Sequence, residues 1–166
     1  DFYLGLRQPD GVHRAGDQAV FSLASVTTDG KAHTAPVETN VLVEKEEWTT
    51  VKVMGANGKM THRNDLRLRT ISDERLTLKT EVDTATGLTK AMPHTLTFAE
   101  AGDYQVTLTA KDGKGRDIIT KIGFTVIGAE EPSWSWHDVI RIDLVPDKDT
   151  YKVGDTAKLL ARSPVF

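Results

Sequence analysis

The sequence predicts an all-β protein, an antiparallel β-sandwich of the immunoglobulin or fibronectin type III kind, and three observations predict it. Apolar residues recur at a period of two rather than 3.6. Turn-forming Gly, Asn and Asp residues punctuate them at short intervals. No amphipathic stretch of helix length interrupts the pattern. About seven to nine short strands are therefore expected, folded into two packed sheets.

The chain opens directly into a strand-like Asp1-Phe2-Tyr3-Leu4-Gly5-Leu6. Next, Val20, Ser22, Ala24 and Val26 alternate with Phe21, Leu23 and Ser25, so one strand presents two unlike faces. Val41-Leu42-Val43 is a continuous apolar run, and Leu76 and Leu78 lead to Val82. Leu96 and Phe98 follow, then Tyr104, Val106 and Leu108, then Ile118, Ile119, Ile122, Phe124 and Val126. Between them stand Pro9-Asp10-Gly11, Asp29-Gly30, Ala56-Asn57-Gly58, Thr86-Gly87, Ala101-Gly102-Asp103 and Asp112-Gly113-Lys114-Gly115. In Glu100 to Val106 a turn Gly precedes an aromatic that opens a β-branched strand. That order resembles the tyrosine corner of immunoglobulin-like sandwiches, and a plain hairpin turn before a core Tyr is the other reading.

Organisation comes from a repeat. Phe2 to Ser25 recurs, without a gap, as Ile140 to Ser163: Leu6 and Leu144, Gly16 and Gly154, Asp17 and Asp155, Ala19 and Ala157, and Ser25 and Ser163 share one offset. Long-period repetition marks tandem modules on one plan. The chain is accordingly expected to hold one whole module over 1–128, a Trp-containing linker over 129–138, and the first two strands of a truncated second module over 139–166. It is expected to be a piece of a larger protein. In both copies a Gly-Asp pair, Gly16-Asp17 and Gly154-Asp155, is placed to reverse the chain between the paired strands.

Composition excludes several classes. The chain is 39% hydrophobic and 27% charged with a net charge of −3, which gives no basis for a nucleic-acid partner. No apolar run approaches the ~20 residues that span a bilayer. With no Cys there is no disulfide framework, thiol nucleophile or thiolate metal site.

Dedicated chemistry is equally sparse. His13, His33, His62, His94 and His137 lack the HxH or HExxH spacing that brings two imidazoles to one metal. His13 aligns with Tyr151 in the repeat, which marks a packing position. Asp147-Lys148-Asp149 and Asp112 with Asp117 lack the ordered set of about six to eight oxygens that calcium takes, and are read as turn residues. There is no G-x-S-x-G elbow. Met54-Gly55-Ala56-Asn57-Gly58-Lys59 lacks phosphate-loop spacing and is read as a strand turn. Arg63, Arg67, Arg69 and Arg75 are interleaved with Asp65, Asp73 and Glu74, as on a solvated strand face of mixed sign. No catalytic, cofactor-binding or metal-binding residue is assigned, and the chain is expected not to be an enzyme.

One exception stands in the linker. Trp134 and Trp136 alternate, which puts both rings on one side of an extended segment. Packing between modules is the expected use. A platform for sugars in a cell-surface adhesion or carbohydrate-binding module is the alternative.

Tyr151-Lys152-Val153-Gly154-Asp155-Thr156-Ala157-Lys158-Leu159-Leu160-Ala161-Arg162-Ser163-Pro164 resembles the strand pair that opens a macroglobulin domain in bacterial alpha-2-macroglobulins, just ahead of the bait region. Glu47-Trp48-Thr49-Thr50-Val51-Lys52-Val53, Phe98 to Tyr104, and Ala110-Lys111-Asp112 followed by Gly115 are similar to the preceding macroglobulin domain. The resemblance implies a structural part of a broad-spectrum endopeptidase inhibitor, which traps proteases after they cut the bait. In most such proteins a Cys-Gln thioester captures the attacker, and none lies in this chain. The resemblance also implies a periplasmic location, with possible anchorage to the inner membrane through a lipidated N-terminus of the parent. Its implied partners are neighbouring macroglobulin domains, target endopeptidases and a peptidoglycan synthase.

Overall fold

The period-two patterns become strands in the computed structural model, which describes residues 1–55, 58–128, 143–148 and 150–162. In chain order these are β1 (Phe2–Arg7), β2 (His13–Arg14), β3 (Gln18–Thr27), β4 (Val37–Met54), β5 (Met60–Leu78), β6 (Glu81–Val82), β7 (Thr89–Lys90), β8 (Met92–Thr97), β9 (Gly102–Lys111), β10 (Asp117–Ile127), β11 (Asp143–Pro146) and β12 (Leu159–Arg162). No helix among the described residues is long and apolar enough to cross a membrane. The expectation of about seven to nine short strands fits the core of the fold but not its extremes. β2, β6 and β7 are two-residue strands, whereas β4 and β5 run to 18 and 19 residues.

A three-stranded sheet, β1-β3-β8, faces a five-stranded sheet, β2-β10-β9-β4-β5. Phe21 and Leu23 from one sheet and Val41, Val43, Val106 and Leu108 from the other are buried between them. Phe98 is the hub of an aromatic cluster, with ring centroids 4.7 Å from Tyr104 and 5.0 Å from Phe124. Phe21 meets Phe124 edge-on at 5.0 Å. Such pairs each add about 0.5–1.5 kcal/mol beyond burial. Ser25 is the polar exception in β3 and is satisfied: its N–H donates to Thr80 Oγ1 at 2.7 Å, and its hydroxyl to the His33 carbonyl at 2.9 Å.

The tyrosine-corner reading holds over the plain turn. The Tyr104 hydroxyl donates to the Glu100 carbonyl at 2.7 Å, tying β9 to the turn that feeds it. Gly102 at that turn has φ of 143°, and a Cβ there would come within 2.8 Å of the Lys45 Cε.

Sequence alternation also continues where the sandwich stops. β9 pairs with β4 only from Thr39 to Lys45. Beyond that point β4 and β5 have each other alone, from Glu46 opposite Leu68 to Met54 opposite Met60. At ~3.4 Å per residue this ribbon projects about 27 Å. At its root, Val43 faces Ser72 and Glu44 faces Thr70, so Ile71 is an extra residue in β5, a β-bulge. β4 keeps its alternation through the bulge. Glu46, Trp48 and Met54 therefore continue the outer face of the five-stranded sheet.

β11 and β12 form an antiparallel pair in which Leu144 faces Ala161 and Val145 faces Leu160. In β1 and β3, Leu6 faces Leu23 and Arg7 faces Ser22. The two registers are related by the offset of the sequence repeat. The turns match as well: Asp17 Oδ2 accepts from the Arg14 N–H, and Asp155 Oδ2 from the Lys152 N–H. Gly16 and Gly154 both adopt positive φ, 91° and 97°.

Candidate functional site

Topology distributes the polar side chains to two ends of the sandwich and to the ribbon. At the end away from the ribbon, an open cleft of about 1220 Å³ is lined by Asp1, His33, Asn40, Asp73, Arg75 and Lys111 among others. Several of its polar groups engage neighbours. Asn40 Nδ2 donates to Asp73 at 2.8 Å, Lys111 Nζ pairs with Asp117 at 2.7 Å, and Arg116 reaches Asp1 at 2.7 Å. Self-paired charges of both signs leave no convergent set of donors or acceptors for a reacting group.

The acidic turns are likewise engaged in structure. Asp112 is buried, and its carboxyl is held down to about 2, first by the Arg116 backbone N–H and also by the Arg116 guanidinium and the Lys114 N–H. Asp147 is held below the usual carboxylate range, first by the Tyr151 hydroxyl and then by the Lys158 N–H. Among the described residues, no group of three or more His, Cys, Asp or Glu side chains is placed to hold a metal ion.

The histidines separate. His13 packs against Phe124 with centroids 5.2 Å apart, in keeping with a packing position. His33 stacks on Phe2 at 4.7 Å, His62 lies on the ribbon opposite Lys52, and His94 Nε2 lies 3.8 Å from Glu74. The four arginines divide as well. Arg63, Arg67 and Arg69 face odd-numbered partners on β4, while Arg75 faces Asn40. The Ile71 bulge thus puts Arg75 on the opposite face.

Trp134 and Trp136, the residues singled out in the linker, lie outside the described residues, as does the whole of the linker over 129–138. A surface that the sequence reading missed is the ribbon. Its root is an ion network: Lys45 Nζ and Arg69 each lie 2.6 Å from Glu100, and Arg69 Nε lies 2.6 Å from Glu47. Lys45 above all holds the Glu100 carboxyl below its ordinary range, and Glu47 above all raises Arg69. The outer face is mixed, with large apolar side chains set among Glu46, Thr50, Lys52, His62 and Asn64. Trp48, half-buried with its Nε1–H on Glu46 Oε2 at 3.2 Å, faces Leu66, and Leu68 follows. Met54 and Met60 at the tip are 74% and 58% exposed. The available signal was the absence of Gly and Pro from Val37 to Met54 and from Met60 to Leu78, on both sides of one Asn-Gly turn.

No known family profile matches the chain, and no curated protein sequence does. Solved structures do. The chain is similar in fold to Salmonella alpha-2-macroglobulin reacted with methylamine, with a TM-score of 0.59 and 18% identity over 99% of this chain and 10% of that one. A mutant form of the same Salmonella protein gives a TM-score of 0.58 at 18% identity, over 99% and 10% of the two chains. The native conformation of E. coli alpha-2-macroglobulin gives 0.59 and 18%, over 99% and 11%. The chain spans about a tenth of the length of these proteins, and at that identity the likeness establishes the fold.

Proposed function

We propose that the chain is a structural macroglobulin module, with the opening of its successor, in a bacterial alpha-2-macroglobulin-type endopeptidase inhibitor. The observation that carries this reading is the agreement of two separate likenesses. The words of Tyr151 to Pro164 resemble the opening of a macroglobulin domain. Independently, the fold of 99% of the chain is similar to a stretch of the Salmonella and E. coli alpha-2-macroglobulins. The repeated register of β1–β3 and β11–β12 supports a division at 1–128, 129–138 and 139–166.

In this reading the chain contributes shape and mechanical coupling. The parent traps a protease after bait cleavage, and this module is a spacer that shifts with its neighbours. Neighbours in one chain meet through modest, fairly polar surfaces and move relative to one another by default. The self-paired charges of the cleft and turns suit such a part, which presents no nucleophile or general base to a substrate. A thioester, if the parent has one, is supplied elsewhere, since this chain lacks Cys. Periplasmic location, lipid anchorage and a peptidoglycan synthase partner belong to the same proposal and are carried by the resemblance alone.

The test is to incubate the full-length parent with trypsin, with and without methylamine pretreatment, and to examine adducts by denaturing gel and intact mass. A methylamine-sensitive covalent adduct is the expected result for a thioester-bearing parent. Trypsin that stays active on small substrates but is shielded from a large inhibitor is expected for a parent that traps without one. The absence of both signals overturns the inhibitor reading and leaves the fold.

A further inference from the structure

We infer that the outer face of the β4–β5 ribbon is the docking surface for the second module, the one opened by 139–166 in the same polypeptide; this rests on the tandem-module reading above. The ribbon presents Trp48, Leu66, Leu68, Met54 and Met60 on one side, set among Glu46, Thr50, Lys52, His62 and Asn64, with Leu66 and Leu68 exposed in mid-strand. A two-stranded ribbon without a packed face is marginal in water. Five large apolar side chains on one face of such a ribbon therefore mark a surface that packs against something.

Three observations identify the occupant. Val126 of β10 faces Gly102 of β9, and Lys45 of β4 faces Tyr104, so the chain leaves the first module at the end from which the ribbon projects. The Gly11 N–H, in the loop between β1 and β2, donates to the Asp147 carbonyl at 2.9 Å, which seats the β11–β12 hairpin at that same end. The third is area. A face about 27 Å long and about 10 Å wide, given the spacing of paired strands, is well below the ~800 Å² per partner of a stable dimer. It is adequate for modules already held together by one chain, where tethering supplies millimolar effective concentrations.

Reach is not limiting. β2 and β4 are separated by three strand spacings, about 15 Å. A sandwich of this size has a radius of gyration of about 14 Å and covers that distance from its tether.

The test compares amide hydrogen exchange of the 166-residue chain with that of the full-length polypeptide, in peptides covering the ribbon and β11–β12. Docking predicts ribbon amides that exchange roughly tenfold or more slowly in the full-length protein. The double variant Leu66→Glu/Leu68→Glu is expected to remove the difference and leave the melting of the 166-residue chain unchanged. A photo-crosslinker at Leu66 is expected to capture a peptide beyond Arg162. Fast ribbon exchange with β11–β12 protected overturns the docking and leaves the tandem reading intact. Fast exchange in β11–β12 as well overturns both. Capture of any other segment, or concentration-dependent ribbon protection in the 166-residue chain, overturns the choice of occupant, the latter in favour of a second copy.

Discussion

From Thr39 to Lys45, β4 lies between β5 and β9, and Thr39, Val41 and Val43 are buried; from Glu46 to Met54 the same strand has β5 alone beside it, and no residue is buried. The hydrogen-bond ladder runs through both halves, so the ladder is not what distinguishes them. A backbone hydrogen bond exchanged for one to water contributes about 0.5–1.5 kcal/mol net. Fixing each residue costs about 1–2 kcal/mol of conformational entropy. The proximal half offsets that with burial on the aromatic core. The distal half has only cross-strand contacts and the ion network at its root. One hairpin thus holds a stable segment and a segment that depends on what packs against it.

The widest expected separation between the halves comes from truncating one large side chain in each region. Phe98→Ala removes the hub of the aromatic cluster and is expected to cost about 3–5 kcal/mol by urea unfolding. Trp48→Ala, on the ribbon, is expected to cost less than about 1 kcal/mol. Equal costs would place the ribbon inside the cooperative core and end the comparison.

Tyr104→Phe probes the joint between the halves, since β9 ends its pairing with β4 at Tyr104 opposite Lys45. Loss of the hydroxyl strands the Glu100 carbonyl and is expected to cost about 1 kcal/mol. The pH dependence sharpens this. Burial above all pushes the Tyr104 phenol up to about 12, from an ordinary value near 10. Its contribution is therefore complete below pH ~10 and is lost as pH rises toward ~12, because the unfolded chain ionises first. Melting curves from pH 9 to 12 are expected to show the gap between wild type and Tyr104→Phe narrowing as pH rises. A constant gap would mean that the phenol ionises equally in both states.

Much of this was legible in sequence where one strand carried two unlike faces. Phe21, Leu23 and Ser25 fall on the core side of β3 as their alternation predicts. Tyr104 closes the corner that Gly102 and its neighbours announce, and the repeat anticipates the register of β11–β12. The ribbon was not legible, because its outer face mixes Glu46, Trp48, Thr50 and Lys52, which blurs the period-two signal. Nor was the bulge. Strict alternation puts Arg63, Arg67, Arg69 and Arg75 on one face, and one extra residue, Ile71, sends Arg75 to the other. The short strand β2 was also hidden, since its parallel pairing with β10 joins residues far apart in sequence. The linker tryptophans, foremost in the sequence, lie outside the described residues.

A smaller effect is expected at the ribbon root. Arg69→Met removes the pairs with Glu47 and Glu100. Exposed pairs are weak and screened by salt. The melting temperature is therefore expected to fall slightly in low salt and not at all in molar salt. Because Lys45 and Arg69 hold the Glu100 carboxyl below its ordinary range, their contribution is present at neutral pH and is lost as pH falls through the carboxylate range. A salt-independent loss would mean that the Arg69 stem acts by packing against the ribbon instead.

The smallest effect is expected from the largest change. Replacing Thr49 to Asp65 by Asn-Gly closes the hairpin just beyond Trp48 and Leu66, which face each other in register. A two-residue Asn-Gly loop matches the right-handed twist of such a pair. None of the described residues in the excised span belongs to the hydrophobic core or to the partly buried residues packed against it, so the unfolding free energy of the 166-residue chain is expected to stay within about 0.5 kcal/mol of its original value. In the proposed longer polypeptide the same excision removes Met54 and Met60, the distal part of the proposed seat of the next module. There it is expected to leave the first sandwich folded and to change the distance between modules, read by small-angle scattering. A stability loss in the 166-residue chain would mean that the distal half supports the proximal one. The hairpin would then be a single mechanical unit rather than a fixed root carrying a surface for its neighbour.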